Sequence, residues 1–339
     1  MKTMTFEEAL NDSLICKKRH LLLGNGFSIA CRPDIFVYKR LFEQADFRQL
    51  SATVRQTFEA LDTQDFERVI KALRDTRTIA ATYGGTPPEV LRSMYEDAVG
   101  LRELLVETIA NSHPAWPGDI SDAEFRACKI FLANFNNTYT LNYDLLLYWT
   151  QMHTDEGEAR MSDDGFRKSE DDYDTPYVVW EPSNSHNQNT WFLHGALHLF
   201  DARTEVQKYT WINTGLRLIE QIRDALNRDL FPIFVSEGTS KEKLERIRHN
   251  DYLAKGFRSF CEITGALFIY GHSLAENDEH FLKRIEKGKV SRLYVGIYGD
   301  LENVANKIII RRALLMVDKR AQRNLTVLFY DAATAKVWG

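Results

Sequence analysis

His20-Leu21-Leu22-Leu23-Gly24-Asn25-Gly26-Phe27-Ser28 is the stretch on which the fold turns. An apolar run stopped by glycines reads as a buried strand followed by a tight turn. The same form returns downstream. Ala266-Leu267-Phe268-Ile269-Tyr270 is stopped by Gly271, and Trp191-Phe192-Leu193 runs into His194-Gly195. Asn137-Thr138-Tyr139-Thr140 has strand character from its β-branched and aromatic residues, and leads to Asn142-Tyr143-Asp144. Further strands are expected at Phe231–Val235, Leu293–Tyr298 and Leu325–Tyr330. Helical stretches lie between them: Leu216–Leu230, Lys241–Lys255, Glu279–Lys287 and Glu302–Leu315. Near the N-terminus a short helix is expected over Thr5–Ser13. Ser121 with Glu124 three residues later marks another helix start. Apolar strands alternating with helices predict an α/β fold, a Rossmann-like, mostly parallel sheet flanked by helices.

A helical insertion is expected after the first strand, over about 39–120. Phe66, Val69, Ile70 and Leu73 form one apolar stripe there, and Leu101, Leu104, Leu105 and Ile109 another, with a break at Gly84-Gly85-Thr86-Pro87-Pro88. Residues 155–174 are acidic with few apolar side chains, and read as a solvated loop. The expectation is one domain over 1–339, with core segments at about 14–38, 121–150, 188–200 and 230–331.

The 339 residues are 44% hydrophobic and 27% charged, with a net charge of −5. That balance argues against nucleic-acid binding through a broad basic surface and leaves a local basic patch open. No apolar stretch approaches the roughly 20 residues of a membrane span, so no membrane association is expected. Glu7 and Glu8 interrupt the N-terminus, so it does not read as a secretion signal. Cys16, Cys31, Cys128 and Cys261 contain no C-x-x-C pair, which argues against a disulfide framework or a four-cysteine zinc site. A cytoplasmic protein is the simplest reading.

Four strand ends carry polar residues. Gly24, Asn25, Gly26, Phe27 and Ser28 either bring backbone and helix-start N–H groups to a diphosphate or simply turn the chain. Asn142 and Asp144 either meet a ligand or cap the helix that follows. His194 suits proton transfer near neutral pH, or else packs against backbone. His198, four residues on, invites the thought of a metal pair, but no third ligand has helpful spacing, so no metal is expected. Beyond Gly271, Ser273 suits phosphate or ribose, and Asp278 suits the N-cap of the next helix. A hydrolase elbow is missing, because Leu274-Ala275 follows Gly271-His272-Ser273.

Taken in order, Gly24-Asn25-Gly26-Phe27-Ser28, Pro33-Asp34, Asn142-Tyr143-Asp144, Leu193-His194-Gly195 and Gly271-His272-Ser273 resemble the sirtuin series. Asp65-Phe66-Glu67-Arg68-Val69 resembles the Phe-Glu motif of bacterial sirtuin-like proteins. The zinc module of sirtuin deacylases is missing, and Ile35-Phe36-Val37 stands where that family carries an arginine. Both departures fit the zinc-free bacterial branch associated with phage defence, whose members hydrolyse NAD. The resemblance implies NAD as substrate and no zinc. It implies His194 and Asn142 as catalytic residues, with Gly24, Asn25, Gly26, Phe27, Ser28, Asp34, Asp144, Gly271 and Ser273 binding NAD. It also implies a regulated NAD glycohydrolase acting as a homo-oligomer or beside a second defence protein such as an ATPase. The alternatives are an ADP-ribosyltransferase or deacylase in the same pocket, and a non-catalytic module that senses NAD or ADP-ribose.

Overall fold

A computed structural model describes residues 3–33, 41–64, 66–111, 113–114, 116–153, 162–168, 175, 177–210, 218–228, 230–235, 239–320 and 324–339. Helix α1 (Phe6–Asp12) starts with a capping box between Thr5 and Glu8, and precedes β1 (Arg19–Leu23) and α2 (Gly26–Cys31). The insertion follows as α3 (Leu41–Gln44), α4 (Ala52–Ala60), α5 (Phe66–Tyr83) and α6 (Pro88–Asn111). The chain returns through α7 (Asp122–Leu132), β2 (Asn137–Thr140), α8 (Leu146–Met152), β3 (Phe166–Arg167), β4 (Tyr177–Trp180) and β5 (Thr190–Phe192). Next come β6 (Gly195–Asp201), β7 (Val206–Tyr209), α9 (Leu218–Asn227), β8 (Pro232–Phe234), α10 (Ser240–His249) and α11 (Asp251–Cys261). The last elements are β9 (Thr264–Tyr270), α12 (Glu279–Lys287), β10 (Lys289–Ile297), α13 (Val304–Asp318) and β11 (Thr326–Asp331).

Six strands form one sheet in the order β11-β10-β9-β1-β2-β5, and every neighbouring pair is parallel. The fold is α/β and Rossmann-like, with helices flanking this sheet. Leu21, Leu22 and Leu23 of β1 are fully buried, as are Leu267, Phe268 and Ile269 of β9. A strand covered on both faces needs such a continuous apolar run, which is why these two are the plainest in the sequence. The first three strands run outward from β1 to β5. The chain then crosses back to β9, on the other side of β1, and runs outward again. The strand order therefore reverses between β1 and β9.

The second sheet departs from expectation. Five short strands pair antiparallel in the order β3-β4-β7-β6-β8. The 231–235 strand joins this sheet rather than the parallel one. Within the expected acidic loop, residues 155–161 and 169–174 lie outside the described set. Phe166–Arg167, however, forms the edge strand β3, its Phe166 buried against Tyr252 with ring centroids 5.4 Å apart. The 241–255 helix is two helices. They part at Asn250, whose side chain accepts from Leu253 N–H and caps α11.

The insertion has its own aromatic centre, in which Phe42, Phe47, Phe58 and Phe66 pack with centroids 4.9 to 6.4 Å apart. The C-terminal tail closes on α2. Trp338 donates its indole N–H to Phe27 O at 2.9 Å, with the rings 5.1 Å apart.

Candidate active site

The carboxyl ends of β9, β1, β2 and β5, four consecutive strands in the sheet, carry Gly271–Ser273, Gly24–Ser28, Asn142–Asp144 and His194 respectively. The β1 and β9 turns lock together. Gly26 N–H donates to Gly271 O at 2.7 Å. A Cβ on Gly26 would lie 2.5 Å from Gly271 Cα, and one on Gly24 would lie 2.7 Å from His272 Cα. These glycines are thus required by the contact between turns. Of the expected free N–H groups, Gly26, Phe27 and Ser28 bond to Gly271, Gly24 and Asn25 carbonyls. The turn's contribution to a ligand is therefore closeness of backbone rather than those donors.

Asn142 joins this pair from β2. Its side-chain amide donates to Gly24 O at 3.1 Å and to Ser28 Oγ at 2.9 Å. Ser28 in turn donates to Asp144 Oδ2 at 2.5 Å. The other Asp144 oxygen accepts from Leu146 N–H at 2.9 Å, so the helix-capping role belongs to Asp144 and not to Asn142. Burial pushes the Asp144 carboxyl above its ordinary value, against the Ser28 and Leu146 bonds. His113 serves the same helix start, accepting from Leu145 N–H through Nε2 at 2.9 Å. Asn25 is the N-cap residue of α2, Phe27 is buried under Trp338, and Ser273 is exposed. Asp34 lies outside the described residues.

His194 sits where the chain passes from the parallel sheet to the antiparallel one. Gly195 makes that passage at φ +76°, and a Cβ there would fall 1.9 Å from Ile233 O, so no other residue fits. His194 is buried, and desolvation lowers its pKa to about 3 even though Asp278 opposes the shift. The ring is therefore neutral at physiological pH. Its Nε2 has no hydrogen-bond partner and lies 3.7 Å from Asp278 Oδ1. His198 does not pair with it. His198 lies in β6, beyond the bend at Gly195, and stacks on Tyr148 at 4.4 Å instead.

Asp278 is the residue the sequence reading missed. It does not cap α12 with its side chain. It turns inward, accepting from Lys243 Nζ at 3.0 Å and from His272 Nε2 at 3.1 Å. Leu274 N–H donates to His272 Nδ1 at 3.0 Å, which leaves the proton on Nε2, facing the carboxylate. Burial would raise the Asp278 pKa, but His272, His194 and Lys243 outweigh it and hold the carboxyl far below its ordinary value. One signal for this network is in the sequence. Lys243 falls four residues before Ile247, on the buried face of α10.

Two polar groups thus meet at one sheet edge. Asn142, Ser28 and Asp144 brace the glycine turns. His194, Asp278, His272 and Lys243 form a buried charged cluster beside them, with His272 touching Gly24 and bonding Asp278.

A family model described as "Domain of unknown function (DUF4917)" matches residues 21–338. No curated protein matches the sequence. A solved structure described as "The Structural basis of Sirtuin Substrate Affinity" is similar at 12% identity and a TM-score of 0.39, over 98% of this chain and 97% of that one. Among the described residues, no helix is long and apolar enough to cross a membrane.

Proposed function

The chain belongs to the DUF4917 family, and we propose that it cleaves NAD to nicotinamide and ADP-ribose at the carboxyl edge of its parallel sheet. One observation carries this reading. Numbered along the chain, the parallel strands lie in the order 3-2-1-4-5-6, with a glycine turn on each side of the reversal. Doubly wound sheets of that order take dinucleotides across the crevice at the reversal. Fold order alone does not give chemistry. The sirtuin-like order of motifs adds it, with His194 and Asn142 on the adjoining strand ends.

The leaving nicotinamide carries its positive charge on the ring nitrogen, so breaking its bond to ribose calls for little covalent help. The transition state is oxocarbenium-like, as in glycoside hydrolysis. The turns at Gly24–Ser28 and Gly271–Ser273 hold the diphosphate and adjoining ribose. Asn142 and Asp144 orient the nicotinamide ribose and a water. The sirtuin resemblance assigns Asp34 to the carboxamide. His194 takes a proton from a ribose hydroxyl or from the attacking water, with the Asp278 carboxylate 3.7 Å away to stabilise the imidazolium that forms, help that is typically worth about 10²–10⁴-fold. Asp278 is a positioning residue, acting through the imidazole it faces. The resemblance extends the proposal to a regulated effector of anti-phage defence, working as a homo-oligomer or with a partner such as an ATPase.

A second reading, a module that binds NAD or ADP-ribose without turning it over, draws on the Asn142 amide, whose bonds to Gly24 and Ser28 engage it within the protein. Chromatographic measurement of nicotinamide and ADP-ribose decides between them. Release by the wild type and a loss of about 10²–10⁴-fold in folded His194→Ala supports the hydrolase. NAD binding with no release supports the sensor. Neither binding nor release refutes both.

A further inference from the structure

His194, Asp278 and His280 are all buried, and one possible ligand atom from each lies within 4.8 Å of the other two. Both histidines present an unpartnered, buried Nε2. Ser240 Oγ lies 3.0 Å from the other nitrogen of His280, Nδ1, which fixes that ring. The rings of His194 and His280 stand 5.8 Å apart, tilted by 32°. Two imidazoles without partners are costly to bury unless something completes them.

We propose that His194 Nε2, His280 Nε2 and Asp278 Oδ1 form a site for one divalent transition metal of the Zn²⁺ class, and that occupancy withdraws His194 from proton transfer. Two imidazoles and a carboxylate are a common ligand set for zinc and its neighbours. Ligands of a tetrahedral ion at about 2.0–2.1 Å stand about 3.4 Å apart. His194 Nε2 and Asp278 Oδ1 are already 3.7 Å apart. The other separations, which are at most 4.8 Å, shorten by up to about 1.4 Å to reach that spacing. The other carboxylate oxygen is held by His272, the kind of outer contact that orients a metal-binding carboxylate.

Lys243 is the built-in competitor. Its ammonium lies 3.0 Å from the same Asp278 oxygen the metal would take. Metal and ammonium exchange at that atom, so removing the ammonium should tighten the site. The metal site itself stands on geometry alone. Its effect on turnover rests on the NAD reading, because a coordinated Nε2 has no lone pair left to accept a proton.

The test uses the untagged full chain, stripped with a chelator and titrated with Co²⁺, with Zn²⁺ as competitor. One equivalent of Co²⁺ should give the visible absorption of a low-coordinate site. His280→Gln should weaken binding at least about ten-fold, and Lys243→Met should tighten it by a similar factor. No band, or a band that His280→Gln leaves unmoved, overturns the site. Because the two variants are expected to move in opposite directions, a general loss of folding cannot imitate the result. Nicotinamide release is followed in the same samples. Zn²⁺ should suppress it in the wild type and spare what remains in His280→Gln. Metal bound at the site without suppression overturns the link to His194. A chain that binds Co²⁺ there yet never releases nicotinamide overturns the NAD hydrolase reading and leaves the metal site standing.

Discussion

Lys243 and Asp278 form a buried ion pair whose worth can be isolated by a double-mutant cycle. Their side chains are 4% and 11% exposed, and the Nζ–Oδ1 distance is 3.0 Å. At an effective dielectric of about 20, charges at that separation attract by about 5–6 kcal/mol. Desolvation of both ions offsets much of this. Lys243→Met leaves a buried carboxylate with only the imidazoles to answer it, and should cost about 3–5 kcal/mol. Asp278→Asn leaves a buried ammonium without its counter-charge and should cost about the same. The double variant removes both charges. Its amide oxygen can still accept from His272 Nε2, so the expected loss is only about 1–2 kcal/mol. The coupling is then on the order of 5 kcal/mol. Urea unfolding at pH 7, with m-values compared across all four proteins, measures it. Single losses that add to within about 0.5 kcal/mol would refute the pairing.

Acid should destabilise the protein well before its carboxylates titrate. Burial lowers His20, His113 and His280 to about 4 and His194 to about 3. Each takes up a proton on unfolding between that value and its ordinary value near 6.5, so stability falls as pH drops through this window. One such histidine accounts for about 2 kcal/mol between pH 6.5 and 5. Asp144, shifted upward, acts in the opposite sense. A urea midpoint that stays flat or rises from pH 7 to 5 would contradict this. His198→Phe should stabilise by about 1–3 kcal/mol, because neither ring nitrogen of His198 has a partner between Tyr148 and Phe192; a lower thermal midpoint would count against it. Gly195→Ala should cost at least about 3 kcal/mol, from a strained φ and a collision with Ile233 O; a neutral result by urea unfolding would mean the passage between sheets is built differently.

The parallel sheet was legible because its strands are buried on both faces. Leu21–Leu23 and Leu267–Ile269 can be read without knowing their neighbours. The helix start at Ser121 was legible because a capping box is local, spanning only three residues. The antiparallel sheet was not. Val206-Gln207-Lys208-Tyr209 has the polarity of a loop, and its burial depends on distant partners such as Asp164, to which Lys208 is paired. One apolar stretch, Trp191 to Phe200, serves both sheets, and only the positive φ of Gly195 divides it. The glycine turns, Asn142 and His194 could be picked out because they end strands. Asp278 looked like a cap because it precedes a helix. Its partner Lys243 lies 35 residues away, and no local pattern encodes so distant a pairing.

In this reading NAD lies across the strand reversal between β1 and β9. A crystal structure with ADP-ribose bound tests it most directly. The diphosphate is expected over the Gly24–Ser28 and Gly271–Ser273 turns, with the free ribose end facing Asn142 and His194. ADP-ribose seated at the opposite edge of the sheet, beside Lys18, Lys255 and Arg258, would contradict it.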